Sequence, residues 1–423
     1  MTVSEVTAAP PAAPPDPRRP RLDRRMILLA GLGLLVLVAL ARALTGATDI
    51  TSGGTIGAAI GLAVPIGLAA LGGLWSERSG VVNIGLEGMM ILGTWFGAWG
   101  GLAFGSPWAG VVAGAIGGAL GGLLHAVATV SFGVDHIISG VALNILGLGV
   151  TQYLSKLVFV GMKGGGETQS PRIPAISTVS LPFVGGPLED LERTRWFLLA
   201  DLAGLLRGLT QNVSLFTIVA VLLVPLSYYV LWRTAFGLRL RACGERPVAA
   251  ESLGVNVYFH KYVAVVVSGA LAGLGGAFLA IVAAGIYREG QTGGRGFIGL
   301  AAMIFGNWRP GGLAGGALLF GYTDALQLRQ GGTSVHALLL VVALLLAAVG
   351  VYQLVRLGRS RAALISGIFA MLVFAVFALT DTVPEQFTSF TPHLTTLLVL
   401  SVASQRLRMP AADGLPYRRG QGK

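Results

Sequence analysis

Apolar residues in this chain run in long uninterrupted stretches, not at the 3.6-residue spacing of a half-buried helix or the alternation of a half-buried strand. A helix needs about 20 apolar residues to cross the hydrocarbon core of a bilayer. The stretches that meet or approach this length are 26–44, 53–74, 84–104, 108–130, 135–159, 213–232, 261–284, 297–307, 311–328, 335–355, 362–380 and 388–404. They predict an all-α fold, a polytopic transmembrane helix bundle of about 10–12 spans. Two stretches are weaker: 297–307 is too short to cross unaided and reads as a re-entrant or broken helix, and 388–404 is short and interrupted by Pro392. Residues 1–25, rich in Ala and Pro, read as a disordered cytoplasmic tail, 26–404 as one membrane domain, and 405–423 as a second cytoplasmic tail.

The polar segments between the stretches set an orientation, because Lys and Arg near span ends stay on the cytoplasmic side. With the tail holding Arg18, Arg19, Arg21, Arg24 and Arg25 inside and every stretch crossing, the inner side also receives Arg78, the loop 233–261, Arg309, the cluster Arg356, Arg359 and Arg361, and the C-terminal tail. The outer side receives Asp49, the long loop 160–212, the segment 285–296, Arg329, Asp381 and Glu385. Within 160–212, residues 188–209 suit an amphipathic helix against the membrane, serving as a docking surface or a packed cap.

An internal echo joins two distant stretches. Ile84-Gly-Leu-Glu-Gly-Met-Met-Ile-Leu-Gly-Thr-Trp95 aligns with Ile298-Gly-Leu-Ala-Ala-Met-Ile-Phe-Gly-Asn-Trp308 once one residue is gapped, and each follows a glycine-rich polar segment. In the orientation above the two run in opposite directions, the mark of an inverted repeat. The other reading is coincidence in a chain with 63 glycines.

Composition agrees with a membrane and removes other classes. The chain is 54% hydrophobic and 12% charged, against about 25% charged residues in soluble domains. Its net charge of +11 lies in short clusters between apolar stretches, not on one basic face, which argues against nucleic acid. The single cysteine, Cys243, forms no intrachain disulfide and reads as an inert small residue. The five histidines are scattered, and none of the four lysines is followed by Ser or Thr as a phosphate-binding loop requires. No catalytic or metal residues are expected, and any ATP hydrolysis has to sit on another polypeptide.

The loop 233–261 carries its own helix punctuation. Pro247 suits a first helical turn, 248–253 is helix-permissive, and Gly254 suits a left-handed stop. Small Ala249 and Ala250 would let another protein close over the short helix, with Glu245, Arg246 and Glu251 fixing orientation by charge; an ordinary connector is the alternative. The segment G-L-R-L-R-A-C-G-E-R-P-V-A-A-E-S-L-G-V-N, which includes Gly244 and ends at Asn256, resembles the cytoplasmic coupling segment of ABC importer permeases of the branched-chain amino acid, ribose and nucleoside class. Ser76 to Met90, S-E-R-S-G-V-V-N-I-G-L-E-G-M-M, is similar to a second signature of that class and is nearest its nucleoside or purine branch, as is Leu415 to Gly420, L-P-Y-R-R-G. At 337–380 the chain departs from that pattern through an inserted pair of spans.

The resemblance implies a multi-pass permease of the bacterial plasma membrane, with both termini cytoplasmic and no cofactor of its own. It implies a separate ABC ATPase subunit that holds ATP and Mg, a second homologous permease, and an extracytoplasmic substrate-binding lipoprotein. Nucleosides or related purines are the expected solutes; a sugar or a branched-chain amino acid is the alternative within the class, and an ion-coupled secondary transporter the alternative outside it. Candidates for the pathway are Asn83, Glu87, Asn144, Asn307 and Trp308. A charge within a span needs a partner or a watery cavity, so Glu87 reads as a gate residue or as an interfacial carboxylate paired with Arg78. The three asparagines suit a sugar hydroxyl or base edge and equally suit caps of broken helices. Trp95 and Trp308 suit stacking on a base or interfacial anchoring, and Asp135 suits a helix cap.

Overall fold

A computed structural model describes residues 24–358, 360–388 and 407–420. The expected tail 1–25 for all but its last two residues, and the expected span 388–404 beyond Thr388, lie outside them. In chain order the helices are α1 (Arg24–Thr45), α2 (Gly53–Arg78), α3 (Leu86–Ala103), α4 (Pro107–Ala126), α5 (His136–Val158), α6 (Gly185–Arg193), α7 (Leu199–Thr210), α8 (Leu215–Arg233), α9 (Ala235–Glu245), α10 (Pro247–Ser252), α11 (Val257–Phe278), α12 (Arg295–Phe305), α13 (Pro310–Leu357), α14 (Ser360–Leu379) and α15 (Glu385–Thr388). The strands β1 (Thr178–Val179) and β2 (Val213–Ser214) form one antiparallel pair. Among the described residues seven helical stretches are long and apolar enough to cross a bilayer. The short α12 matches the broken helix expected there.

The centre of the bundle is built by close backbone contact. Gly114, Gly118 and Gly122 of α4 face Gly269 and Gly273 of α11, and a Cβ added at Gly118 would sit 2.2 Å from the Gly269 carbonyl. Nothing larger than glycine fits this crossing, and lipid-solvated helices gain from such approach because packing rather than water exclusion drives their association. The packing is reciprocal: α3 and α4 lie on α11, while α12 and α13 lie on α2. Leu86 and Leu300, equivalent positions of the two echoed segments, both meet Gly73 of α2. Large apolar side chains such as Ile116, Leu124, Ile138 and Ile145 point outward, as a bilayer requires.

Three expectations are corrected. The stretches 311–328 and 335–355 are one continuous helix, α13, of 48 residues or about 72 Å, with no reversal at Arg329. Arg309 and Arg356 therefore lie toward opposite ends of one helix and not on the same side. Arg329 reaches the Ser52 and Thr55 hydroxyls at 3.4 Å from the exposed side of the continuous helix, so the polar residue that suggested a turn is bound at the helix surface. The amphipathic segment 188–209 is two helices, α6 and α7, because Arg195 and Leu198 take positive φ between them. The stretch between Trp232 and Lys261 holds an 11-residue helix, α9, ahead of the short α10.

The distal half of α13 and α14 form an antiparallel hairpin, with Ser366 bonded to Gln353 and the His336 ring to the Phe377 carbonyl. Its ends meet where Val383 N–H donates to the Gly332 carbonyl. The loop 160–212 packs over the end of α2: Glu192 accepts from Gly53 N–H at 3.0 Å and from Arg207 at 3.0 Å. A buried ion pair at 2.8 Å between Arg42 and Asp201 joins α1 to α7.

Candidate functional site

Two features stand out: a polar junction at membrane depth, and an elbow on the face that carries α9 and α10. The junction begins after Arg78, where the chain turns at Gly80 (φ +85°) and residues 81–83 run without helix toward the start of α3. Non-helical backbone buried among spans must find hydrogen bonds from side chains. His136 Nδ1 accepts from Val82 N–H at 3.2 Å, and His125 Nε2 stands 3.0 Å from the Val82 carbonyl, so that nitrogen carries the proton. Asn144 works at both ends, donating to the Ile84 carbonyl at 3.1 Å and accepting from Gly88 N–H at 2.7 Å. Asn83 donates to Ser268 Oγ at 2.9 Å and accepts from Gly85 N–H at 3.1 Å. Asp135 caps α5 by accepting from Ile137 and Ile138 N–H.

Glu87, buried near the start of α3, spans to α12. Its two oxygens accept from Gly294 N–H at 2.9 Å and Gly296 N–H at 2.7 Å, the free donors at the N-terminus of that helix. The helix has 11 residues, about 16 Å, and the residues following its other end, Asn307 and Trp308, lie beside Arg78. Its N-terminus is thus about 16 Å from the level of Arg78, about half the thickness of a hydrocarbon core. The expected pairing of Glu87 with Arg78 does not occur: Arg78 instead donates to the Trp308 carbonyl at 2.7 Å and stands 4.0 Å from Glu245. A half-helix whose dipole is met by a carboxylate from a neighbouring broken segment explains how this charge sits at depth.

The elbow is α9 followed by α10. Pro247 opens α10 and Gly254, at φ +79°, follows its end. Gly244 at the end of α9 lies against the corner after α2, where an added Cβ would come within 2.3 Å of the Arg78 carbonyl. The C-terminal segment 407–420 then wraps the elbow. Ala412 N–H donates to the Gly244 carbonyl at 2.9 Å, Ala411 N–H to Glu245 at 3.2 Å, and Gly420 N–H to Glu251 at 3.3 Å. Tyr417 packs with Cys243, Ala250 and Val257, and burial pushes the Cys243 thiol up to about 11. Asn307 accepts from Arg408 N–H at 2.7 Å, and Trp308 donates to Glu77.

These contacts sort the sequence candidates. Asn83, Glu87 and Asn144 meet at the mid-depth junction, whereas Asn307 and Trp308 belong to the elbow face. Trp95 and Trp308 are both buried, not on a lipid-facing rim. Of the elbow residues, Gly244 and Ala250 are buried within this chain, and Glu245 and Glu251 hold the tail, so Ala250 is no surface for another protein. Arg246, Ala249 and Gly254 remain exposed, joined by Leu253, 85% exposed. Sequence reasoning missed Leu253, although an aliphatic residue immediately before a left-handed glycine was a signal for a projecting side chain. It also missed His125 and His136, whose partners are backbone atoms far away in sequence.

Asp413 completes the face. It is buried beside another carboxyl, Glu77, and burial pushes its pKa up to about 7 against the pull of Lys261 and Arg78. Among the described residues no group of three or more His, Cys, Asp or Glu is placed to hold a metal.

A helical bundle with broken segments at membrane depth and a short-helix elbow on one face defines a polytopic membrane permease. Residues 55–349 match the family described as the branched-chain amino acid transport system permease component, and the chain belongs to that family. It is 33% identical over 367 residues to the guanosine ABC transporter permease protein NupQ of Bacillus subtilis, covering 85% of this chain and 94% of that protein. The nucleoside ABC transporter permease protein NupC of Lactococcus lactis is 33% identical over 275 residues, 63% of this chain and 80% of that one. The putative glucose ABC transporter permease protein TsgC13 of Haloferax volcanii is 32% identical over 373 residues, 86% and 98% respectively. No solved structure matches the chain.

Proposed function

We propose that this chain is the nucleoside-conducting permease subunit of a bacterial ABC importer, driven by a separate ATPase that grips the α9–α10 elbow. The similarity to NupQ across 94% of that protein carries the choice of solute class. Exposed Ala249 and Leu253 offer an ATPase cleft a small side chain and an apolar knob, with Arg246 as the charged contact. Closure of the ATPase would push the elbow, and the push would favour one of two packings of the glycine-lined bundle. In this reading α3 and α12 are the broken helices of an inverted repeat, the elbow faces the cytoplasm, and an extracytoplasmic lipoprotein delivers solute to the opposite face. A second, homologous permease completes the membrane unit.

The test is reconstitution of the chain with its ATPase, second permease and binding lipoprotein, identified by copurification, followed by uptake of radiolabelled guanosine into ATP-loaded vesicles. ATP-dependent accumulation, competed by unlabelled nucleosides and not by glucose, is expected. Competition by glucose would favour the sugar reading that the TsgC13 similarity supports. Accumulation driven by sodium or protons by this chain alone would sink the importer reading.

A further inference from the structure

A cavity of about 620 Å³ opens on the elbow face, between the end of α8 and the start of α13. Tyr228 and Trp232 of α8 border it on one side, Arg309 and Gly311 on the other. The two aromatic rings stack at 5.8 Å and 12°. Tyrosine and tryptophan at the end of a span sit at the level of the lipid headgroups, and basic pockets between spans at that level hold anionic headgroups.

Positive charge gathers around this cavity in excess of what the chain itself neutralises. Arg78 and Arg241 each stand 5.4 Å from the centre of the Trp232 ring, and Arg309 is near enough to Arg78 for their charges to repel. Two of the three guanidiniums are engaged: Arg78 donates to the Trp308 carbonyl and Arg241 to the Leu231 carbonyl. The nearby carboxyls, Glu77, Glu245 and Asp413, all act on Arg78. Among the described residues no side-chain or carbonyl acceptor takes the Arg309 guanidinium, so the wall of the cavity carries a cation that an anion from outside the chain can meet.

Below the charged cavity the chemistry turns wholly apolar. A second cavity, about 250 Å³, lies between α2, α8 and α13 and shares Val224 and Pro225 with the first. Every residue bordering it is apolar or glycine. Along α2 it runs from Leu71 to Ile60, about 16 Å, half the thickness of a hydrocarbon core and so the share of one leaflet. Val221 and Leu318 at its rim are exposed, so it is entered sideways from the bilayer. A soluble anion would use the first cavity and leave the second bare. An amphiphile with a phosphate at one end and a hydrocarbon chain at the other fills both.

We propose that this seam binds an anionic phospholipid, with its phosphate on Arg309 beside the Tyr228–Trp232 pair and one acyl chain in the α2–α8–α13 groove. The bound lipid lies against α8, the helix that leads through Thr234 into the elbow. The proposal needs only that these helices lie in a membrane, and it is independent of the solute carried.

Native mass spectrometry tests it on the full chain with its copurifying subunits, stripped of lipid in detergent and titrated with phosphatidylglycerol or phosphatidylcholine. Phosphatidylglycerol should bind about fivefold tighter or more, the effect of one basic contact on an anionic headgroup. Arg309→Gln should remove that preference. Arg233→Gln, which deletes an equal charge at the same end of α8 but outside the cavity, should keep it. An added Cβ at Gly311 meets nothing within 4 Å, so Gly311→Phe should fold and fill the headgroup cavity, lowering phosphatidylglycerol binding with Arg309 intact. Glycerol phosphate in large excess should not displace the lipid, because it leaves the apolar groove empty. Equal binding of the two lipids, equal losses in Arg309→Gln and Arg233→Gln, or full binding in Gly311→Phe would reduce the site to ordinary surrounding lipid and overturn the proposal. Displacement by glycerol phosphate would overturn it in favour of a soluble phosphate ligand.

Discussion

Glu87 shows how one carboxylate is accommodated where charge is costly. Its two oxygens take the Gly294 and Gly296 N–H groups, and hydrogen bonds to a charged group are worth about 1.5–3 kcal/mol each. In Glu87→Gln one acceptor becomes a donor facing a donor. The variant should lose about 2–3 kcal/mol of stability, read as a lower unfolding temperature of the purified complex, and should assemble but transport poorly. Unchanged uptake would remove the α3–α12 link from the transport cycle. Gly244 is sensitive for a steric reason: Gly244→Ala places a methyl against the Arg78 carbonyl, an overpacking cost of about 1–3 kcal/mol. ATPase activity that no longer responds to substrate delivery is the expected readout, with membrane insertion retained.

Asp413 ties the tail to pH. Its pKa is raised to about 7 in the folded protein, chiefly by burial, against about 4 in an unfolded chain. The docked state therefore holds the extra proton between these values, so docking is strongest at low pH and weakens as pH rises from about 4 to about 7, at most about tenfold per unit. Limited proteolysis of the 407–420 segment should quicken over that window, and Asp413→Asn should flatten the profile. A profile that is already flat in the unmodified protein would place the Asp413 carboxylate in water.

At the scale of elements, the elbow is a composite of α9, α10 and the C-terminal segment. Cys243, with no exposed surface, is a native reporter for it. Removing residues 409–423 takes away Tyr417 and the bonds to Gly244, Glu245 and Glu251, and should open Cys243 to thiol reagents that barely react with the full chain. Continued protection after truncation would mean that α9 and α10 hold their geometry without the tail. The short α10 was legible from Pro247 and Gly254 because proline and glycine act locally on the backbone. The wrapping tail was not, since its partners lie far away in sequence. The reversal expected at Arg329 failed for a similar reason: a polar Arg-Gln-Gly-Gly stretch reads as a turn in isolation, yet hydroxyls on α2 take up the arginine and the helix continues.

For the whole molecule, α2 is packed differently on its two sides. One side is glued through α3, α11 and α12 by glycine contacts and the asparagine and histidine bonds to the 81–88 segment. The other meets α8 and α13, and α8 leads directly into the elbow. The chain alone determined the membrane class, the lengths of most spans, the short broken segment at 297–307 and the presence of a capped helix after Pro247. Those features follow from hydropathy and backbone preference, which depend on a residue and its near neighbours. Which polar side chains hold buried backbone was decided only by tertiary packing, because a hydrogen bond at depth is set by whichever donor lies across the helix interface. The sequence therefore showed that Glu87 needs a partner, and only the fold could supply Gly294 and Gly296 in place of Arg78.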